Sequence, residues 1–263
     1  MSVPTDMMGE SSGTYLYNSD SDDCLTMCDC MRGLRLRCNT LGCVPKASCH
    51  SPSGATYGHQ APAYIAFRDE CLCFSGNFIC PKPPPDHFRL REDVVGVFLF
   101  LGFSKLEENI LRRYTNETVN EDAGARLQEL ISPRDTLQTR CHLVLYHSVD
   151  ENLIFQASFI PEKPDHSGNG SRISYAMLWE EKKECGPLLQ SLAYRIRNRD
   201  FSVISQPTLS LIKVAHVEVH LPPEPRSGAR SSRATSSTSS SISLKFVFVC
   251  LVQLLHWTAV ASS

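Results

Sequence analysis

The stretch Val94-Val95-Gly96-Val97-Phe98-Leu99-Phe100-Leu101-Gly102-Phe103 is an unbroken apolar run, with Asp93 before it and Lys105 just beyond it. Strands whose two faces are both covered lose the apolar/polar alternation and read as continuous runs of this length, so Val94 to Phe103 is predicted to be a buried strand. Ten residues are too few to cross a bilayer as a helix. Downstream, Asn120 to Ile131 reads as a helix with Asn120 as its cap and Ser132-Pro133 as its stop. Cys141 to Tyr146 and Leu153 to Phe159 alternate as two strands around the turn Ser148-Val149-Asp150-Glu151. Tyr175 to Asn198 is a second helix that Gly186-Pro187 is expected to interrupt. Ser210 to His220 alternates again, with Leu211, Lys213, Ala215, Val217 and Val219 on one face. The order is β-α-β-β-α-β, the split βαβ or ferredoxin-like arrangement, and residues 86–224 are long enough to bury one core.

Upstream the composition changes. Nine of the 12 cysteines fall between Cys24 and Cys80, in the pattern Cys24-x3-Cys28-x-Cys30-x7-Cys38-x4-Cys43-x5-Cys49 and then Cys71-x-Cys73-x6-Cys80. So small a segment, 24–83, cannot bury enough apolar area unaided, and thiols at this density outside the cell form disulfides. Zinc is the rival reading, but well-formed pairs of C-x2-C knuckles are absent. The odd count leaves one cysteine for an upstream partner or as a free thiol. Cys141 opens a predicted strand and Cys185 lies on the second predicted helix, so a bridge between them is expected. The run Pro81-Lys82-Pro83-Pro84-Pro85 closes the module as a stiff spacer. Residues 1–23 are polar and acidic and read as a linker.

The C-terminus has the layout of a glycosylphosphatidylinositol (GPI) attachment signal: small residues, a polar spacer, then an apolar end. Ser227-Gly228-Ala229 or Ala234-Thr235-Ser236 supplies the small residues, with Ser227 or Ala234 as the attachment point. Residues 225–245 form the Ser/Thr/Arg-rich spacer, and 246–263 the hydrophobic signal, broken by Gln253 and His256. Asn116-Glu117-Thr118 and Asn169-Gly170-Ser171 are glycosylation sequons, with Asn116 and Asn169 as acceptors. All three features point to the secretory pathway. Because Met1 to Asp23 lacks the apolar stretch of a signal peptide, the expectation is that more sequence precedes this chain.

Two resemblances follow. The run Cys24 to Cys49 is similar to the first half of a von Willebrand factor type C module, although its first spacing is x3 and the adjacent cysteine pair of the second half is missing. With the segment Phe67-Arg68-Asp69-Glu70-Cys71-Leu72-Cys73-Phe74-Ser75-Gly76-Asn77-Phe78-Ile79-Cys80, the whole layout resembles the C-terminal part of an invertebrate GDNF-family receptor alpha-like protein. That resemblance implies a ligand-binding co-receptor, lipid-anchored in the outer leaflet, that binds an extracellular protein and signals through a transmembrane partner.

Chemistry-bearing patterns are sparse. His216 and His220 lie four apart on a predicted strand, roughly 13 Å from each other, too far to share a metal. His142 and His147 flank another strand. The chain has neither a G-x-S-x-G elbow nor a phosphate-cradling glycine loop. Asp69-Glu70 and Glu180-Glu181 read as solvated charge. A net charge of -2 and the lack of a long basic run exclude an electrostatic footprint for nucleic acid. The expectation is a binding protein, not an enzyme, with no catalytic residue, metal or cofactor. Extracellular growth-factor modulation through the C-like module, or a SEA-like membrane-proximal spacer or adhesion role, are the alternatives. Tyr64, Phe67, Arg68, Phe74 and Phe78 crowd the second cysteine hairpin. Arg68 and Phe74 are predicted to face the partner, since aromatic and arginine side chains dominate binding energy, while Phe78 is predicted to fill the small core.

Overall fold

The computed structural model describes residues 13–17, 24–31, 35–132, 140–159 and 175–222, all of which belong to one compact unit ending at Pro223. A disulfide-rich β region comes first. Its strands are β1 (Gly13–Tyr17), β2 (Cys24–Met31), β3 (Arg35–Cys43), β4 (Cys49–His50), β5 (Thr56–Tyr57), β6 (Pro62–Ile65), β7 (Asp69–Phe74) and β8 (Asn77–Ile79). An α+β domain follows: β9 (Gly96–Phe103), α1 (Lys105–Leu111), α2 (Val119–Ile131), β10 (Cys141–Val149), β11 (Asn152–Phe159), α3 (Tyr175–Arg197), α4 (Phe201–Ile204), α5 (Pro207–Ser210) and β12 (Ile212–His220). No helix of the described residues is long and apolar enough to cross a membrane.

The bridges lock the β region strand by strand. Cys24 pairs with Cys43 and Cys28 with Cys38 across the β2–β3 hairpin, and each pair is also bonded as a disulfide. Cys49 of β4 is bonded to Cys73 of β7, which joins the small sheet β4-β5 to the sheet β6-β7-β8. Cys71 is bonded to Cys80, so β7 is held at two cysteines on its buried side. Between β7 and β8, Ser75 and Gly76 both take positive φ (54° and 86°), the two-residue loop whose twist suits a tight hairpin.

In the second domain the sheet order is β10-β11-β9-β12, and every neighbouring pair is antiparallel. All eight residues of β9 are buried. Val97, Leu99, Leu101 and Phe103 share the main core with Leu153 and Phe155 of β11, Leu127 of α2 and Leu189 of α3. Phe98 and Phe100 face the other way, with Ile154, under Phe88, Leu90 and Val94. Two covered faces account for the missing alternation in the sequence.

Local details differ from the sequence reading. The α2 cap is Thr118, two residues before Asn120: its Oγ1 accepts from the Glu121 N–H, and its own backbone N–H donates to Asp122 Oδ2 at 3.0 Å. Helix α3 continues through Gly186-Pro187. Pro187 is exposed there, so the carbonyl it leaves unpaired one turn back can meet water. An irregularity between Ile212 and Val214 takes Lys213 out of the expected alternation. Its ammonium is buried 2.5 Å from Glu107 of α1, a helix the sequence reading did not anticipate. Strand β10 is an edge, and the side-chain amide of Gln128 lies along its first residues. Gln128 Nε2 donates to the Cys141 carbonyl (3.1 Å) while its Oε1 accepts from the Leu143 N–H (2.8 Å).

The disulfide region sits directly on this domain. Leu25 of β2 belongs to the main core, and Val44, Phe74 and Ile79 pack with Val214 of β12. At Gly102 the two backbones approach so closely that a Cβ would lie 2.3 Å from the Cys80 carbonyl oxygen. Buried Asn152 spans the junction, its Nδ2 donating to the carbonyls of Cys80 (2.7 Å), Pro81 (2.9 Å) and Leu101 (3.2 Å).

Candidate functional site

Side chains two apart on a strand share a face, and β12 thereby aligns His216, Glu218 and His220 opposite Phe100, Phe98 and Gly96. The β6–β7 hairpin and the proline run meet that face. Lys82, the one non-proline in Pro81–Pro85, places its ammonium 2.7 Å from Asp69 Oδ2 and in direct contact with Glu218 Oε1. His216 Nε2 lies 3.5 Å from Asp69 Oδ2 and 3.7 Å from Glu218 Oε1. His220 Nε2 lies 3.1 Å from Glu218 Oε2.

Burial and partners set the charges. Burial opposes ionisation of Glu218, but hydrogen bonds from Lys82 and His220 outweigh it and hold the carboxyl below its ordinary range. Burial likewise opposes the Lys82 charge, and the hydrogen bonds to Asp69 and Glu218 prevail, so its pKa is raised. For His216 burial dominates, and its pKa falls below the usual histidine value despite the nearby carboxylates.

Two clefts flank this ionic group. One, of about 660 Å³, is lined by Phe67, Lys82, Phe88, Phe100, Glu218 and His220 among others. The second, of about 450 Å³, has Tyr64, Asp69, Arg197 and His216 in its wall. The ion-paired residues thus separate two solvent-open spaces. Above them the loop Ala66-Phe67-Arg68 closes the β6–β7 hairpin, with the Arg68 N–H bonded to the Ile65 carbonyl at 3.0 Å. Phe67 has φ 66° and is 78% exposed, and Tyr64 is 75% exposed. A bulky residue in the left-handed region costs on the order of 1–3 kcal/mol, and such strain clusters at functional positions.

Phe74, predicted to face a partner, is instead buried, 3% exposed. It packs with Val44, Ile79 and Val214 and lies under the Lys213 ammonium at 4.7 Å, because its position on β7 points towards β12. Arg68 is half-buried, and its Nε donates to the Lys82 carbonyl at 3.1 Å. Desolvation lowers its pKa against the opposing carboxylates of Glu151, Asp150 and Asp86. It holds the backbone of Lys82 in place, so the exposed aromatic surface of this hairpin is Tyr64 and Phe67. Phe78 is half-buried and meets Tyr57 edge-on at 5.4 Å.

Among the remaining candidates, Cys141 and Cys185 are bonded to each other. Cys30 lies on β2 opposite Leu36, and its side chain falls outside the described residues. Asn116 is exposed between α1 and α2, whereas Asn169, Ser227, Ala234 and the hydrophobic end lie outside the described residues. His147 stacks on Phe88 at 4.4 Å, and His142 is exposed. Sequence reasoning noted His216 and His220 and took Asp69 for solvated charge; the structure instead pairs Asp69 with Lys82 and His216, and Lys82 also with Glu218. The signal it had was the alternation in His216-Val217-Glu218-Val219-His220, which places three polar side chains on one face of a strand.

Residues 43–83, from Cys43 to the end of the disulfide region, match the model of a domain of unknown function, DUF7921. No curated protein and no solved structure matches the chain.

Proposed function

We propose that this chain is a GPI-anchored cell-surface glycoprotein that binds an extracellular protein ligand, as a receptor or as a co-receptor working with a transmembrane signalling partner. The observation that carries the reading is the β6–β7 hairpin: with β7 held by two disulfides, β6 and the connecting loop present Tyr64 and a strained, exposed Phe67 beside two clefts. Loops on rigid scaffolds are common recognition sites, and aromatic anchors supply much of the binding energy. The five disulfides among the described residues support an extracellular setting. The lipid anchor rests on the layout of residues 225–263.

Two measurements test this on cells displaying the chain behind a signal peptide. Phosphatidylinositol-specific phospholipase C is expected to release it, and retention after a control anchored protein has come off overturns the anchor. A photo-crosslinking residue at position 67 is expected to capture an extracellular protein that the same residue at exposed position 109 does not. Equal capture at both positions, or none at position 67, overturns the binding face.

A second reading takes residues 86–224 as a ferredoxin-like, SEA-like spacer that holds the disulfide module off the membrane. The sheet order, in which the third strand of the β-α-β-β-α-β series lies between the first and the second, favours it. Under this reading a GPI-anchored variant lacking the module should still reach the surface without binding ligand.

A further inference from the structure

We propose that Asp69, His216 and Glu218 form a binding site for a zinc-class divalent cation that competes with the Lys82 ammonium for the same carboxylates. The three donor atoms all lie within 4.8 Å of one another. Zinc bonds to imidazole nitrogen and carboxylate oxygen run about 2.0–2.2 Å, so neighbouring ligands on a tetrahedron stand about 3.3–3.6 Å apart. The His216 nitrogen is 3.5 Å from the Asp69 oxygen and 3.7 Å from the Glu218 oxygen. Two edges of the polyhedron are therefore within a few tenths of an ångström of the metal-bound spacing.

The surroundings match a metal site in three further ways. Glu218 presents Oε1 to the centre while its Oε2 faces His220, and an outer partner of this kind fixes the orientation of a ligating carboxylate. Asp69 Oδ2 is shielded from solvent and is delivered by a residue held at φ 66°, so the backbone itself aims it. The clefts on the two sides give an ion a way in and leave room for a water as fourth ligand. Lys82 is partly exposed and borders the larger cleft, so its flexible stem can swing aside when a divalent ion takes its place. One imidazole with two carboxylates suits zinc or copper(II) better than calcium or magnesium, which take oxygen ligands. Bound there, the ion would tie the β6–β7 hairpin to β12 by coordination in addition to charge.

The test is calorimetric titration of the full, disulfide-intact chain with zinc chloride at neutral pH. One zinc per chain is expected. Asp69→Asn and His216→Ala should each weaken binding about tenfold or more, whereas Lys82→Met, which removes the competitor, should tighten it by a similar factor. Cobalt should give a spectrum without thiolate-to-metal charge transfer. The proposal is overturned if the native chain binds no zinc, whatever Lys82→Met does. It is also overturned if Asp69→Asn and His216→Ala leave affinity unchanged, or if the cobalt spectrum reports sulfur ligands. Should Lys82→Met fail to fold, Lys82→Gln carries the same expectation, and the native chain with the two ligand variants still decides the outcome.

Discussion

Gly102 and Cys80 meet backbone to backbone: a methyl group on Gly102 would stand 2.3 Å from the Cys80 carbonyl oxygen and 2.9 Å from its carbon. The glycine in the central strand is therefore the point at which the disulfide region seats on the sheet. Gly102→Ala is expected to cost about 3 kcal/mol, the upper end for overpacking, because the nearest of the three colliding atoms is main chain and Val214 Cγ2, at 2.8 Å, crowds the same carbon. Gly58→Ala, with no atom within 4 Å of the added carbon, serves as the control. Denaturant melts of the two variants check the contrast, and equal midpoints would mean that the two backbones can part at little cost.

Asn152 bridges the same junction. Asn152→Leu keeps the branching, crowds the site with two methyl groups, and leaves the carbonyls of Cys80, Pro81 and Leu101 without this donor. Buried groups stripped of their partner cost about 1–3 kcal/mol each in such comparisons, so a loss of about 3 kcal/mol is expected. Amide exchange should show greater opening around residues 80–82 than in the helices. A uniform change in protection would contradict a role confined to the seam.

Phe67 and Phe74 separate binding from folding. Phe74→Ala removes a ring from a packed cluster and is expected to lower stability by about 3–5 kcal/mol. Phe67→Gly removes an exposed ring and relieves a left-handed backbone, so stability should hold or rise while ligand capture falls. Thermal melts beside cell-surface capture provide the readout. Loss of stability in Phe67→Gly would show that the ring supports the fold.

Acidification should weaken the contribution of His216 to the seam. The His216 pKa is lowered in the fold, so as pH drops through and below about 6.5 the unfolded chain takes up the proton first and stability declines. The Glu218 carboxyl is also lowered, so its contribution is complete above its unfolded value of 4.5 and is lost as pH falls further. Glu151 and Glu181 act with the opposite sign: burial raises both, and protonating them in acid favours the fold. His87, whose pKa is raised by its hydrogen bond to Asp150, acts with them, so the His216 contribution is read as a difference: between neutral pH and pH 5, native stability is predicted to fall relative to that of His216→Phe. Parallel pH profiles for the two would remove His216 from this account.

The central sheet was readable because burial on two faces leaves a mark in one dimension: ten apolar residues around Leu99 and Leu101 allow few other folds. Alternation around Asp150 marked the hairpin equally well. Helix α1 was not readable, since Lys105–Leu111 carries two glutamates that look solvated but are buried, one beside Lys213 and one, Glu108, accepting from the Val119 N–H. Phe74 was misplaced because alternation puts it on the face of β7 opposite Cys71 and Cys73, and only the docked strand β12 covers that face. The ionic group was invisible for a related reason: Asp69, Lys82 and Glu218 are far apart in sequence and come together through a contact made largely by Gly102 and by carbonyl groups, to which sequence patterns are blind.

Gln128 has a consequence for how the protein behaves in a crowd. By laying its amide along β10 as a neighbouring strand would, it occupies the hydrogen-bonding positions at Cys141 and Leu143 where a foreign strand would begin to zip. Beyond it the same edge displays Val144 and Leu145, both exposed and apolar. One neutral side chain thus guards the starting end of a sticky border, and Gln128→Ala is expected to make the chain more prone to self-association at high density.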